Sequence, residues 1–173
     1  MEQKKIIRPR NWFLELLVFL EEILIIVIWW LFSKSWATAL FCGALTYFLL
    51  AWSLRRGLQR HHRRGMKFLR NQKYAEAAAE FQNSLAFYEK YPWVDKYRFI
   101  TMFSSNAIPF QQMALNNLGI CYLYMGNPEK AIAYFEQLAK LNNYHPNIMK
   151  IIADIQKRIE EEVQPQADSP PAD

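Results

Sequence analysis

The chain has few of the residues on which catalytic and metal sites are usually built. It contains two cysteines, three histidines and five glycines in 173 residues. No set of cysteines and histidines has the spacing of a zinc site, and there is no glycine-rich phosphate loop or nucleophile elbow. Cys42 lies within a long apolar run and Cys121 in a later segment that we predict below to be cytoplasmic, where thiols are kept reduced, so we expect no disulfide between them. We therefore expect no metal, no cofactor and no enzymatic activity.

Charged residues are sparse in one long stretch, which consists of two apolar runs. The first run covers Trp12 to Phe32 and the second Trp36 to Leu54, and only Ser33, Lys34 and Ser35 separate them. Each run has about the 20 residues that a helix needs to cross the hydrocarbon core of a bilayer. The sequence therefore predicts an all-α protein that begins with a transmembrane helical hairpin.

The basic residues that flank the hairpin indicate its orientation. Residues 1–11 are basic, the turn carries only Lys34, and a dense basic cluster follows the second run, formed by Arg55, Arg56, Arg60, Arg63 and Arg64. By the positive-inside rule both flanks lie in the cytoplasm. We expect a multi-pass protein of the bacterial inner (plasma) membrane with both termini cytoplasmic. The five arginines are candidate ligands for anionic lipid headgroups, and we expect no nucleic-acid partner because no binding motif accompanies them.

Two other interpretations of the apolar runs are possible. In the first, Ile23 to Phe32 is the core of a signal peptide and Ala37-Thr38-Ala39 its cleavage site. The long, acid-bearing apolar segment before Ile23 and the second apolar run directly after it argue against this. In the second, only Trp36–Leu54 spans the membrane and the first run lies in the interface.

Three glutamates interrupt the first run, namely Glu15, Glu21 and Glu22. A carboxylate within a membrane span is costly and usually has a structural or functional reason. If the hairpin folds about Lys34, Glu15 lies within reach of the first arginines after the second run. Glu21 and Glu22 then lie opposite Thr46 and Tyr47. We expect pairing between the two helices, with a contact to another membrane protein or a proton pathway as alternatives.

The segment from Leu118 onward resembles a tetratricopeptide repeat (TPR), a helix–turn–helix unit of about 34 residues. Its matching positions are Leu118, Gly119, Tyr122, Gly126, Ala131 and Phe135. A weaker copy lies upstream, where Gly65, Phe68, Tyr74, Ala77 and Phe81 precede their counterparts by 54 positions. The resemblance covers 58–163 and implies binding of a protein partner in a concave groove. In the family register, the residues that face this groove are His62, Met66, Arg70, Asn116, Ile120 and Leu123.

The predicted domain at 55–163 also contains an insertion, at about 91–110, and a final amphipathic helix. Trp93, Tyr97 and Arg98 of the insertion are candidate partner-binding residues, because Trp, Tyr and Arg are common at binding hot spots. The alternative is that the aromatic residues of the insertion complete the core. The helix from about residue 146 to Val163 is expected to cap the repeats, and residues 164–173 to form a disordered tail. Two repeats are fewer than a free-standing array needs, so capping, the insertion or homo-oligomerisation must supply the difference.

These features predict a membrane-anchored TPR adaptor or scaffold at the cytoplasmic face, with assembly of a membrane complex as one possible role. An alternative is a small accessory subunit of a membrane enzyme or transporter, bound through the hairpin. A further alternative is a module that binds anionic lipid and no protein.

Overall fold

A computed structural model describes residues 11–141 and 148–167, with side chains described as far as residue 159. All nine elements within these ranges are α-helices, which confirms the predicted all-α class. They are α1 Trp12–Ser33, α2 Trp36–Leu58, α3 Arg60–Arg70, α4 Tyr74–Lys90, α5 Pro92–Lys96, α6 Arg98–Met102, α7 Phe110–Tyr124, α8 Pro128–Leu141 and α9 Ile148–Ala167.

Helices α1 and α2 pack against each other as a hairpin. Small residues of α2 form the contact, since Ala39 and Gly43 are buried and are four positions apart. A Cβ atom added to Gly43 would lie 2.7 Å from Cγ1 of Ile26, so the two backbones approach closely there. The Trp29 indole N–H also donates to the Thr46 hydroxyl across the hairpin, at 3.0 Å. Close packing through small residues four apart is typical of helix pairs in membranes.

The outward faces of the hairpin are apolar and exposed. Large side chains along both helices are uncovered, including Phe19, Leu24, Phe41 and Phe48. Both helices are long and apolar enough to cross a membrane. Helix α2 continues to Leu58, four residues beyond the predicted end of the second span at Leu54.

The two predicted repeats are both helix–turn–helix units of the same construction. We call α3 and α4 repeat 1, and α7 and α8 repeat 2. An added Cβ on Gly65 would lie 2.8 Å from the Phe81 ring, and one on Gly119 would lie 2.6 Å from the Phe135 ring. The glycine of each first helix therefore lets the aromatic ring of the second helix approach the backbone. This contact accounts for the predicted matches between the two copies.

The turns of the two repeats are also alike. Gln72 and Gly126 have φ angles of 59° and 69°. In repeat 1 the Lys73 N–H donates to the Phe68 carbonyl at 3.0 Å, and in repeat 2 the Asn127 N–H donates to the Tyr122 carbonyl at 2.9 Å. This bond from the residue after the left-handed position is the mark of a Schellman C-cap. Both first helices thus end in the same way, although only one has glycine at the left-handed position.

The main core lies between the helices of the two repeats and α9. It contains Phe81, Leu115, Leu118, Phe135 and Leu138. Helix α9 covers the open side of repeat 2 with its buried isoleucines, Ile148, Ile152 and Ile155, as expected of a capping helix. It runs to Ala167, four residues into the predicted tail, so the expectation of a disordered segment from residue 164 is wrong for 164–167. Residues 168–173 and 1–10 lie outside the described residues.

The insertion forms two short helices and a second core. Met102 of α6 and Val94 of α5 are buried with Tyr88 and Phe110. Of the aromatic residues of the insertion that were expected to complete the core, Phe103 and Phe110 are buried. Other large side chains of the insertion are exposed, with Trp93 57%, Tyr97 45% and Ile100 54% accessible.

The insertion also contacts the hairpin. Arg55 of α2 donates from Nε to the Met102 carbonyl at 2.8 Å and from Nη2 to the Phe103 carbonyl. The Phe103 ring meets the Tyr47 ring edge-on at a centroid distance of 5.0 Å. The Asn11 N–H, at the start of α1, donates to the Ser105 carbonyl at 3.2 Å. Both hairpin helices are therefore connected to the repeat domain through the end of α6.

Candidate interaction groove

A cavity of about 1020 Å³ lies along α3 and the end of α2. Asn106, Phe110 and Met113 form its opposite wall. Six arginines and one lysine line it, and no aspartate or glutamate of the described chain does. We call this cavity the basic groove. It contains all five arginines that the sequence predicts as lipid ligands and three of the six residues predicted to face the TPR groove, His62, Met66 and Arg70.

Five cations of the basic groove follow one another at intervals of four and three residues. They are Arg56, Arg60, Arg63, Lys67 and Arg70, and we call them the cationic stripe. Residues at these intervals share one face of a helix. The four members on α3 therefore form a row about 15 Å long, from the rise of roughly 1.5 Å per residue.

Most of the positive charge of the stripe is not neutralised by neighbouring side chains. Among the described residues, Glu80 lies 3.9 Å from Arg64 and 2.7 Å from His61, and neither of these two residues belongs to the stripe. Arg63, Lys67 and Arg70 are exposed and form no ion pair with a described residue. The basic groove is therefore electrostatically complementary to an anionic partner.

The floor of the basic groove is apolar. His62 is buried, with its ring 5.6 Å from the centroid of Phe81 and 5.4 Å from that of Phe110. Met66 is half-buried, and its sulfur accepts a hydrogen bond from the Asn117 amide at 3.5 Å. These side chains pack the base of the groove, so the long basic side chains provide its polar contacts.

The other three predicted groove residues do not line the basic groove. Asn116, Ile120 and Leu123 are half-buried on α7. Ile120 and Leu123 pack against the main core instead. Of the six residues predicted to face the TPR groove, the three on α3 therefore line the basic groove and the three on α7 do not, because Asn106 and the start of α7 line this side of the cavity.

The predicted hot-spot residues of the insertion are separate from the basic groove and differ among themselves. Trp93 and Tyr97 are exposed and free to contact a partner. The Arg98 guanidinium instead donates to the carbonyls of Asn106 at 2.7 Å, Ala107 at 3.0 Å and Asp95 at 3.1 Å. Arg98 thus holds the loop before α7 in place, and its donors are directed inward and not toward a partner.

Asp95 is a structural residue that the sequence analysis did not identify. Its two carboxylate oxygens accept hydrogen bonds from the N–H groups of Phe110 and Gln111, each at 2.9 Å, and so cap the N-terminus of α7. Burial raises the pKa of Asp95, and this outweighs the lowering by the two N–H groups and by Arg98. A capping residue usually precedes its helix directly, whereas Asp95 is 15 positions from Phe110, so no local signal points to it.

One of the three hairpin glutamates, Glu21, forms no hydrogen bond across the hairpin. Both carboxylate oxygens of Glu21 are buried and have no hydrogen-bond partner among the described residues. The Thr46 hydroxyl, expected to pair with Glu21 or Glu22, accepts from Trp29. The expected hydrogen bond between Glu21 and Thr46 is therefore not formed.

Comparison with known protein families identifies one repeat directly. Residues 112–145 match the tetratricopeptide repeat family. This range contains most of α7 and all of α8, so it corresponds to repeat 2. No curated protein and no solved structure matches the chain. Together with the all-helical fold, the match supports a TPR-like protein, and a repeat of this kind suggests a protein–protein interaction module.

Proposed function

We propose that this TPR-like chain is a membrane-anchored adaptor that holds a partner protein at the cytoplasmic face of the inner membrane. The observation that carries the proposal is the basic groove. Its cationic stripe begins on α2, which is the second apolar helix, and continues along the first helix of repeat 1. A protein-binding module and a hydrophobic anchor therefore share one nearly continuous helical segment.

Membrane anchoring through both helices of the hairpin is supported by its surface. A soluble protein rarely exposes an extended apolar surface, whereas both α1 and α2 expose large apolar side chains along their lengths. At the turn, Trp30 and Trp36 stack at 5.2 Å, and the Lys34 ammonium lies 5.5 Å from the Trp30 ring. Tryptophan and lysine at a helix end are typical of the membrane–water interface.

Anionic lipid would have a secondary role in this proposal. Arg56 is the second residue after the second apolar run and lies 5.1 Å from the centroid of the Trp52 ring. Arg56 and Arg60 are close enough to the end of the apolar run to contact headgroups and steady the domain. The proposed main ligand is a protein, such as a subunit or precursor of a membrane complex in assembly. A second copy of the chain is an additional possible partner.

Crosslinked co-purification from native membranes tests the adaptor function. Wild type is compared with two double variants, Trp93→Ala/Tyr97→Ala on the exposed aromatic surface and Arg63→Gln/Lys67→Gln on the basic groove. A client that is present with wild type and lost from either variant supports an adaptor and identifies the surface it uses. A reporter fused after Asp173 should be active in the cytoplasm. A periplasmic signal would overturn the proposed orientation.

A second candidate function follows from Glu21. A buried carboxylate without a hydrogen-bond partner costs free energy that a basic or hydroxyl group on another membrane helix would offset. The chain would then be an accessory subunit of a membrane enzyme or transporter. In this case the client is lost from Glu21→Gln/Glu22→Gln and retained by both cytoplasmic variants.

A further inference from the structure

We infer that the basic groove binds an acidic helix of the partner protein, whose carboxylates repeat at intervals of three and four residues. This inference rests on the proposed adaptor function and specifies the chemistry of the partner.

The charge of the groove selects an anionic ligand. Arg63, Lys67 and Arg70 are exposed and form no ion pair within the described chain, and the lining contains no described carboxylate. A neutral or basic segment would leave these cations unpaired next to a partner surface. An acidic segment would pair with them and would also be steered toward them over a distance.

The length of the stripe favours a protein over lipid as the main ligand. The Gln59 N–H donates to the Arg55 carbonyl at 3.2 Å, and the Arg63 N–H donates to the Gln59 carbonyl at 2.9 Å, so helical hydrogen bonds bridge the break between α2 and α3. Arg70 then lies on the order of 20 Å beyond Arg55 along the helical path. The headgroup layer on one side of a bilayer is roughly 5–8 Å thick, so a stripe that leaves the membrane along the direction of α2 extends beyond this layer over its far half.

The spacing of the stripe favours a helix as the bound segment. Successive cations on α3 are separated by about 4.5 or 6 Å along the helix axis. Carboxylates at intervals of three and four residues on a second helix have the same separations, so each can face one cation. In an extended strand, side chains on one face are about 6.6–6.8 Å apart, and the mismatch accumulates along the row.

The volume of the groove agrees with a helix of this length. A helix about 10 Å in diameter and three turns long occupies roughly 1,300 Å³. The cavity of about 1020 Å³ would take most of such a helix, with its outer face left in water. Its apolar floor, formed by Met66 and the rings around His62, suits small apolar residues beside the carboxylates.

Two synthetic helical peptides of equal composition test the inference on the full chain in phosphatidylcholine nanodiscs. One has four glutamates at intervals of three and four residues, and the other has them at intervals of five, which distributes them around the helix. By fluorescence anisotropy, the first should bind and the second should bind at least about tenfold more weakly. Equal affinity for the two peptides, or no binding of the first, would overturn the inference.

Two triple variants separate the stripe from general charge. Arg63→Gln/Lys67→Gln/Arg70→Gln should weaken binding of the first peptide about tenfold or more. Lys73→Gln/Lys140→Gln/Lys150→Gln removes the same charge from exposed sites outside the groove. This variant should change the affinity for the first peptide by less than about twofold. Equal losses in the two triples would show non-specific attraction. Abolition of peptide binding by phosphatidylglycerol in the discs would show that the groove is a lipid site.

Co-purification with the stripe triple variant distinguishes this inference from the function on which it rests. If a client that co-purifies with wild type is lost from the stripe variant, both the adaptor function and the acidic-helix inference are supported. A client that the stripe variant retains leaves the adaptor function standing and overturns the acidic-helix inference. If wild type captures no client, the adaptor function fails, whatever the peptides show.

Discussion

At the scale of single residues, Gln72 has a backbone conformation that is unfavourable for a residue with a side chain. Its φ of 59° corresponds to that of Gly126 in repeat 2, and no Cβ penalty applies to glycine there. We expect Gln72→Gly to raise the free energy of unfolding by about 1 kcal/mol, and Gly126→Ala to lower it by a similar amount. Chemical denaturation of the full chain in detergent, followed by circular dichroism, measures both changes.

The neighbouring residue provides the control for this prediction. Lys73 is also exposed but has a φ of −88°, so Lys73→Gly relieves no strain. It should therefore lower the free energy of unfolding slightly, through the larger conformational entropy of glycine in the unfolded chain. A destabilised Gln72→Gly variant would show that the Gln72 side chain contributes more than its backbone conformation costs.

Asp95 should be the most sensitive carboxylate of the repeat domain. It caps α7 from a distance in sequence, so Asp95→Ala should leave the N–H groups of Phe110 and Gln111 unpaired in a buried site. We expect a loss of about 1–3 kcal/mol in the free energy of unfolding. The exposed residue Asp154 provides the control, and Asp154→Ala should have an effect below about 0.5 kcal/mol.

The same residue gives a pH dependence with a defined sign. Because burial raises the pKa of Asp95, the folded protein holds this proton more tightly than the unfolded chain does. The associated stability is present below the ordinary aspartate pKa of about 3.9 and is lost as the pH rises through the raised value. Wild type should therefore lose stability relative to Asp95→Asn over this pH range. A gain relative to the variant would mean that the hydrogen bonds from Phe110 and Gln111 outweigh burial.

At the scale of elements, the hairpin depends on one close approach between its helices. An Ile side chain at position 43 would collide with Ile26, since even a Cβ atom there would lie 3.0 Å from the Ile26 Cα. We expect Gly43→Ile to lower the free energy of unfolding by about 1–3 kcal/mol in an SDS titration of the micellar protein. Gly57→Ile is the matched control, because an added Cβ at Gly57 meets nothing within 4 Å. Equal effects of the two variants would contradict the observed packing.

The elements that the sequence predicted best are those that follow local or repeated patterns. The two apolar runs predicted where α1 and α2 begin, and where α1 ends to within one residue, although α2 continues to Leu58. The spacing of Gly65 and Gly119 to their aromatic partners predicted the repeats. The insertion was only partly predictable. Its aromatic content did not show that Val94 and Met102 would be buried while Trp93 and Tyr97 stayed exposed, since that depends on how α5 and α6 pack onto α4 and α7.

The candidate site was predictable in composition but not in arrangement. The arginines after the second run and the residues of the first repeat helix were assigned to separate lipid and partner sites. They line one cavity because α3 continues directly from α2. The roles of Arg98 and Asp95 were not accessible from the sequence, because both depend on backbone groups of the 106–111 segment that only the folded loop brings near.

At the scale of the whole molecule, the position of the basic groove relative to the hairpin depends on the contacts of Arg55. A planar guanidinium can donate to the carbonyls of Met102 and Phe103 together, which the ammonium group of lysine cannot reproduce with the same geometry. We expect Arg55→Lys to broaden the distance distribution between spin labels at Ser35 and Glu129, with little change in the unfolding of the repeats. Cys42→Ala removes one native thiol that the spin label could modify. The other native thiol, Cys121, is protected from labelling because burial raises its pKa to about 11.

Arg56 provides the matched control for this measurement. It is adjacent to Arg55 and contacts Trp52 of its own helix, so Arg56→Lys should leave the distance distribution narrow. If Arg55→Lys also leaves it narrow, the contacts of Phe103 with Tyr47 and of Ser105 with Asn11 are sufficient to fix the domain. If the distance distribution broadens in Arg55→Lys and stays narrow in Arg56→Lys, Arg55 sets the direction in which the groove faces. An adaptor that presents a client to a membrane complex needs such a fixed direction, because a freely rotating groove would lose much of the gain in effective concentration that anchoring gives.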